Sequence, residues 1–192
     1  MIIASIKDKE HILHILEGAF KENPTLTSLS RRVNDKINIR LILEYAFYFS
    51  IARQGVYLSN DRSSVAFFYP STAKGGMLEK WYLLKFIIAG IKLNKIKSIY
   101  AHLRKIKKLK PKNYKFYHFW FLGSKDGSVK STRMFIRDLF KLASLAKSPI
   151  FAETTLIKNE VVFSKFGFKT YSKVKSTDLE LKVSLMKKSA TL

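Results

Sequence analysis

An α/β fold with a mixed central sheet flanked by helices is predicted by three features of this sequence. Residues 114–123 read Tyr-Lys-Phe-Tyr-His-Phe-Trp-Phe-Leu-Gly, apolar on both alternating faces, as a strand covered on both sides must be. A helical pattern over 131–147 and a β run over 150–154 follow, and a βαβ unit implies parallel pairing with a right-handed crossover. Two closing β runs, 168–174 and 179–186, can add antiparallel strands. The second sets Leu179, Leu181, Val183 and Leu185 against Glu180, Lys182 and Ser184.

The remaining elements follow in order. Asp8 is placed to cap a first helix running to about Lys21, with Ile12, Leu13, Ile15, Leu16, Ala19 and Phe20 at helical spacing and Pro24 just beyond. A second helix is expected over 34–54, its apolar face holding Ile37, Leu41, Tyr45, Tyr48 and Ile51. Gly55 stands where a C-terminal cap favours positive φ. Runs 56–59 and 64–69, joined by Asn60-Asp61-Arg62-Ser63, read as a hairpin. Gly75-Gly76 opens a helix to about Lys92. The next, 95–109, carries Ile96, Ile99, Leu103, Ile106 and Leu109 on one side and bases on the other, and Pro111 ends it. In helix 131–147, Phe135, Leu139, Leu142 and Ala146 should face inward. A short helix over 159–166 ends at Gly167.

The length of 192 residues fits one domain, residues 1–192, large enough to bury a core. Fifteen Phe and nine Tyr make the chain too apolar for disorder. Without cysteine, a disulfide framework, a thiolate metal site and a Cys nucleophile are excluded, which is compatible with a cytoplasmic location. The first ten residues lack the layout of a signal peptide. The most apolar stretch, 77–93, is broken by Lys80, Lys85 and Lys92 and falls short of the ~20 residues of a membrane span, so it reads as a core helix. His11 and His14 lie one helical turn apart without a third ligand type nearby, which argues against a metal site.

The net charge of +22 attracts polyanions: nucleic acid, anionic lipid or phosphorylated cofactors. It is concentrated in 92–115, which holds ten Lys or Arg and no acid. That stretch reads as a solvated helix face, an anionic-ligand or nucleic-acid surface, or a membrane-surface helix. Aromatics suited to base stacking are scarce there, so nucleic acid is not the favoured partner.

Local sequences strengthen one resemblance. Phe119-Trp120-Phe121-Leu122-Gly123, a loop, and Phe135-Ile136-Arg137-Asp138-Leu139-Phe140 resemble the cofactor strand, pyrophosphate loop and following helix of the GNAT superfamily of N-acetyltransferases. Phe151-Ala152-Glu153-Thr154-Thr155, then Asn159 and Phe166-Gly167-Phe168, resemble its next strand and Asn-containing helix. Val56-Tyr57-Leu58-Ser59-Asn60-Asp61 and Ala66-Phe67-Phe68-Tyr69-Pro70 resemble the early hairpin of one bacterial branch. The likeness covers about 16–186 as a pattern of segments. It implies acetyl-CoA as cofactor and an amine, on a small molecule or a peptide, as acceptor. The acyl group would pass through a tetrahedral intermediate, and Leu122 N–H or a neighbour could stabilise the oxyanion. Backbone of Leu122, Gly123 and Ser124 would pair with the pantetheine arm, and Asn159 would lie on the cofactor side.

The family's loop pattern is Gln/Arg-x-x-Gly-x-Gly/Ala, whose small residues expose backbone N–H groups to pyrophosphate at a helix N-terminus. Aligned from Arg137-Asp138-Leu139, Gly127 takes the first place, and Lys130 and Thr132 take the glycine places. Two readings stay open. Small Ser128, Ser131 and Thr132 permit a near-normal loop with Lys130 and Arg133 supplying charge. Alternatively, the Lys130 side chain weakens or abolishes binding, leaving a non-catalytic protein that binds CoA or a polyanion. Phe163 stands where many members carry a proton-donating Tyr, and Phe cannot donate. Glu153, mid-strand, is the first candidate general base, and His118 the second, each weighed against a purely structural role.

Overall fold

The computed structural model describes residues 1–23, 25–26, 30, 32–33, 36–37, 39–111, 114–125 and 129–190. The strands are β1 (Ile2–Ile3), β2 (Arg32–Val33), β3 (Lys36–Ile37), β4 (Val56–Leu58), β5 (Ser64–Pro70), β6 (Tyr117–Ser124), β7 (Ile150–Thr154), β8 (Lys169–Ser176) and β9 (Leu181–Lys188). Seven form one sheet in the order β1-β4-β5-β6-β7-β9-β8, and β2 and β3 pair separately. The helices are α1 (Lys9–Phe20), α2 (Arg40–Ile51), α3 (Met77–Lys85), α4 (Ile96–Leu109), α5 (Val129–Leu145) and α6 (Ile157–Lys165). The sheet is antiparallel except at β6–β7, the parallel pair expected of the βαβ unit. This is the mixed sheet flanked by helices that the segment order predicts.

Two cores flank the sheet. On one face, Ile12, Leu13, Ile15 and Leu16 of α1 and Leu43, Ala46 and Phe47 of α2 pack on Val56, Leu58, Val65, Phe67 and Phe121. On the other, Phe135, Ile136, Leu139, Phe140 and Ala143 of α5 pack on Tyr57, Ala66, Phe68, Phe119 and Ala152. A third, small cluster seats Ile106 of α4 on Val174, Val183 and Leu185 of β8 and β9.

Several local expectations change. Asp8 does not cap α1 by a side-chain bond. Its carboxylate accepts the Ser5 N–H at 2.8 Å, closing a capping box around a short 3₁₀ turn that leads into the helix. The second helix begins at Arg40, because residues 36–37 pair with 32–33. Its buried side is Leu43, Ala46, Phe47 and Ser50, not the Tyr45–Tyr48 side. Apolar residues occupy nearly every face of this helix, so periodicity alone cannot select one.

The 77–93 stretch is not a core helix: α3 has no buried side chain, and a π-helical turn, Phe86–Gly90, follows it. Its inner side is the polar and aromatic one. Arg53 of the loop after α2 grips Glu79 at 2.6 and 3.2 Å, Tyr82 stacks on Tyr48 at 3.8 Å, and Phe86 stacks on Tyr45 at 5.9 Å. In α4, Ile106 is buried as expected, whereas Leu103 and Leu109 are exposed. In α5, Ala146 falls past the helix end and is exposed.

Gly55 is required for space and not for φ. The left-handed residue is Gln54, at φ 51°, while a Cβ on Gly55 would stand 2.4 Å from Tyr69 Cβ and 3.0 Å from the Phe68 carbonyl. At Gly167, by contrast, φ is 86°, and its N–H bonds the Ser164 carbonyl to close α6. Gly55→Ala should therefore destabilise the chain by about 1–3 kcal/mol, as forced overpacking does. A urea titration reads this as a lower midpoint at unchanged slope, and an unchanged midpoint contradicts the close approach.

Candidate active site

The parallel pair β6–β7 is short: residues 117–119 meet 150–152, and there the ladder stops. β7 goes on pairing with β9 through Thr154, and β6 goes on pairing with β5 through Ser124. The two strands therefore part between intact neighbours. A bulge sits at the parting point, since Phe67 faces Phe121 and Phe68 faces Phe119, leaving Trp120 as the extra residue. Side-chain alternation slips there. Trp120 and Phe121 both lie on the α1–α2 side, while Phe119 and Leu122 lie on the α5 side. Gly123 lets α1 cross β6 closely, since a Cβ would meet Leu16 at 3.0 Å and Ala19 at 3.3 Å.

The opening holds a cavity of about 360 Å³. β6 lines it with Phe119, Trp120, Phe121 and Leu122, β7 with Glu153 and Thr154, α6 with Asn159, Val162 and Phe163, and α4 with Ile99, His102, Leu103 and Ile106. Glu153, just past the last parallel pair, is its sole acidic wall among the described residues.

The structure brings Glu153 and His118 together. Glu153 Oε1 lies 2.5 Å from Lys110 Nζ, just after α4, and 3.4 Å from His118 Nε2. Burial works to raise the Glu153 carboxyl, but His118 and Lys110 outweigh it and hold it at about 2. Burial, with help from Lys110, pushes His118 below its ordinary value against the opposing pull of Glu153. Tyr69 Oη is 2.6 Å from His118 Nδ1, and burial, reinforced by Glu153, keeps the phenol protonated. A carboxylate only accepts, so the His118 proton belongs on Nε2, and Nδ1 accepts from the Tyr69 hydroxyl. His118 is thus committed at Nδ1, and its Nε2–H faces Glu153. Neither His118 Nε2 nor Glu153 Oε1 has a well-angled hydrogen bond among the described residues, so the neutral ring offers the carboxylate the dipole of its N–H, and the opposing charge comes from Lys110.

Sequence reasoning passed over His102. It is 6% exposed, lines the cavity, and neither ring nitrogen has a hydrogen-bond partner among the described residues. Burial lowers its pKa, opposed by Glu153, so the ring is neutral at pH 7 and keeps an available lone pair. The signal was present: His102 interrupts the apolar series Ile99, Leu103 and Ile106, on the side of α4 that the pattern turned inward.

The expected cofactor residues are placed as follows. Leu122 and Asn159 are cavity walls. Leu122, Gly123 and Ser124 pair with β5 on one side only, leaving their β7-side backbone groups without a ladder partner among the described residues. An open edge of this kind can accept an extended, amide-bearing ligand. At the start of α5 the hydroxyls are already engaged. Ser131 donates to Asp61 at 2.7 Å, and Thr132 donates to Ser124 at 3.0 Å while meeting Ser64 at 3.0 Å. Hydrogen bonds from Ser59, Ser131 and Ser63 hold the Asp61 carboxyl well below the usual carboxylate range. Lys130 and Arg133 are exposed, and Lys130 lines a groove together with Asp61. Gly127 and Ser128 lie outside the described residues. Phe163 packs on Phe119 at 5.7 Å and offers no proton.

No protein-family model and no curated protein matches the sequence. Solved structures match the fold over its length. A histone acetyltransferase-related protein of Corynebacterium glutamicum is 15% identical, with a TM-score of 0.67 over 100% of this chain and 96% of that one. Arylalkylamine N-acetyltransferase 2 of Aedes aegypti is 15% identical, with a TM-score of 0.66 over 99% and 98%. A polyamine N-acetyltransferase of Drosophila melanogaster, which forms N-acetylagmatine, is 10% identical, with a TM-score of 0.61 over 97% and 97%. The chain has the GNAT fold.

The charge network makes a stability prediction. A carboxyl whose folded value lies below its unfolded value of 4.5 contributes stability above that pH, and the contribution is lost as pH falls toward about 2. Glu153→Gln should lower the thermal midpoint at pH 7, because Lys110 loses its partner, and should flatten the decline in stability between pH 4.5 and 2. Parallel pH profiles for the two proteins would remove the network from the stability account.

Proposed function

We propose that this chain, as one GNAT-like domain over residues 1–192, is an N-acetyltransferase that takes acetyl-CoA and a primary amine. The observation that carries this reading is the cavity at the β6–β7 parting, with an open strand edge on one side and Glu153 and His102 in its walls. Acetyl-CoA supplies the activated acyl carbon. Backbone of Leu122, Gly123 and Ser124 holds its arm, and Asn159 faces it from α6. The start of α5, with Ser131 and Thr132, meets its phosphates, and Lys130 and Arg133 supply charge.

On the acceptor side, Glu153 attracts the ammonium group, and neutral His102 takes the proton the amine nitrogen must lose. With its pKa near 2, Glu153 has little proton affinity, so its work is to bind and orient. His118, tied to Tyr69 and facing Glu153, positions that carboxylate. With Phe163 in place of a donor, the departing thiolate is protonated by solvent.

The acceptor walls favour an apolar monoamine. Ile99, Leu103, Ile106, Leu181 and Val183 offer apolar surface. Glu153 is the single acid of the described walls, so once the reacting amine takes it a second cationic group on the substrate meets no carboxylate. A net charge of +22 also repels polycations. The arylalkylamine enzyme is therefore a better guide than the polyamine enzyme. Phe163 supports the alternative, a non-catalytic protein that binds CoA or a polyanion.

Thiol release from acetyl-CoA tests this. An arylalkyl monoamine should react with a kcat/KM at least about tenfold above agmatine, a discrimination within reach of one unpaired charge. Acetyl-CoA binding by calorimetry without thiol release for any amine would establish the non-catalytic alternative. His102→Gln should reduce kcat by about a hundredfold, the lower end for a lost general base. Since His102 must be neutral to act and its pKa is lowered, the rate should fall with acid only below pH 6.5, and the substitution should remove that limb. An unaltered limb returns the proton to Glu153 or to water.

The phosphate end gives a separate prediction. Asp61 places negative charge beside the start of α5, where the phosphates must lie. Asp61→Asn should tighten acetyl-CoA binding by a few-fold and Lys130→Glu should weaken it by about tenfold, on the scale of one charge at a helix end. Equal affinities by calorimetry would place the phosphates elsewhere.

A further inference from the structure

The amphipathicity of α3 is inverted. Glu79, Tyr82 and Phe86 face α2, held by Arg53, Tyr48 and Tyr45. Met77, Trp81, Leu84 and Ile88 recur at helical spacing on the opposite side, with Leu78 beside them. They are 87, 63, 49 and 60% exposed. Four large apolar side chains in one outward stripe are more than the scattered exposure of a water-soluble surface. Lys80 lies within this stretch and Lys74 shortly before it, both exposed and in no ion pair among the described residues, and Lys85 is also exposed, though it contacts Glu44. Within the stripe itself, from Met77 to Ile88, the sole acid is Glu79, which Arg53 neutralises from the inner side.

We propose that this stripe docks on an anionic lipid surface. The chemistry on each side matches. Apolar side chains enter the headgroup boundary, a Trp ring suits that depth, and lysines at the rim meet lipid phosphate. No helix among the described residues is long and apolar enough to cross a membrane, so the contact is a surface one. Charge selects the lipid over a second copy of the chain. Pairing two stripes would bring Lys74 and Lys80 against their twins within molecules of +22 each, whereas an anionic bilayer is attracted by the same charge. α3 lies in the same segment between β5 and β6 as α4, whose His102 and Ile106 line the cavity, so the docked face and the acceptor wall are joined by a few residues of chain.

The test is co-sedimentation of the full chain with phosphatidylcholine vesicles, with and without phosphatidylglycerol. Binding should require phosphatidylglycerol and fall as salt is raised. The double variant Trp81→Glu and Leu84→Glu, both at exposed positions, should lose at least about tenfold in bound fraction while unfolding as cooperatively as the parent. Should that variant fail to fold, Trp120→Phe leaves Trp81 as the one tryptophan, and its emission should shift to the blue on adding phosphatidylglycerol vesicles. Unchanged vesicle binding by the folded double variant, or no blue shift, overturns the proposal and assigns the attraction to the basic charge at large. A parent that sediments as a dimer, ignores vesicles and becomes monomeric on the double substitution also overturns it, in favour of a second copy of the chain.

Discussion

The early parting of β6 from β7 is the constraint on which the rest depends. A sheet interior ordinarily cannot open, because each unpaired strand edge leaves backbone donors and acceptors unsatisfied. Here the gap is held open by what lies on either side. β5 and β9 keep full ladders to β6 and β7 beyond the point where those two separate. The bulge at Trp120 turns β6 while moving a large ring to the α1–α2 side, where it meets Tyr45, Phe49 and Tyr69. α1 braces the same strand through the close approach at Gly123. The cavity is therefore a consequence of packing around it.

The same parting explains the electrostatics. Glu153 comes just after the last residue of β7 that pairs with β6, so its carboxylate lies at the border between core and cavity. A charge so placed must be compensated, and two elements do so: His118 from the adjacent strand and Lys110 from the end of α4. Compensation lowers its proton affinity, so the most conspicuous acid of the strand stays ionised in the cavity wall. His102 has the opposite character. It is buried without hydrogen-bond partners among the described residues, neutral, and open to whatever enters the cavity to satisfy its nitrogens.

The order of elements, the parallel pair and the closing antiparallel strands were legible in the sequence, because a doubly apolar strand and a strictly alternating one carry strong periodic signals. Glu153 and His118 were legible as polar residues in apolar strands. Their mutual contact was not, since it depends on the register of β6 against β7. The face of α2 and the exposure of α3 were illegible for a shared reason. Both helices are apolar on several sides, and what decides their orientation is a set of pairings, Arg53 with Glu79 and Tyr48 with Tyr82, between residues about thirty apart. Trp120 as a bulge, and Asp61 as a neighbour of α5, likewise arise from strand register and loop closure, which no local pattern encodes.

The open edge at β8 shows what the excess of lysine does for the folded chain. β8 is the outermost strand on its side of the sheet, eight residues long, with one row of backbone groups facing outward. Such an edge is a template for another strand, and an uncharged one invites stacking into aggregates. Lys169, Lys173 and Lys175 stand along it, and Lys182 and Lys187 follow on β9 behind it. The opposite edge, β1, is only two residues long and offers little to copy. Crowded copies of this protein would meet like charge at the one edge long enough to recruit them, so the lysines that attract polyanions also keep the sheet at seven strands.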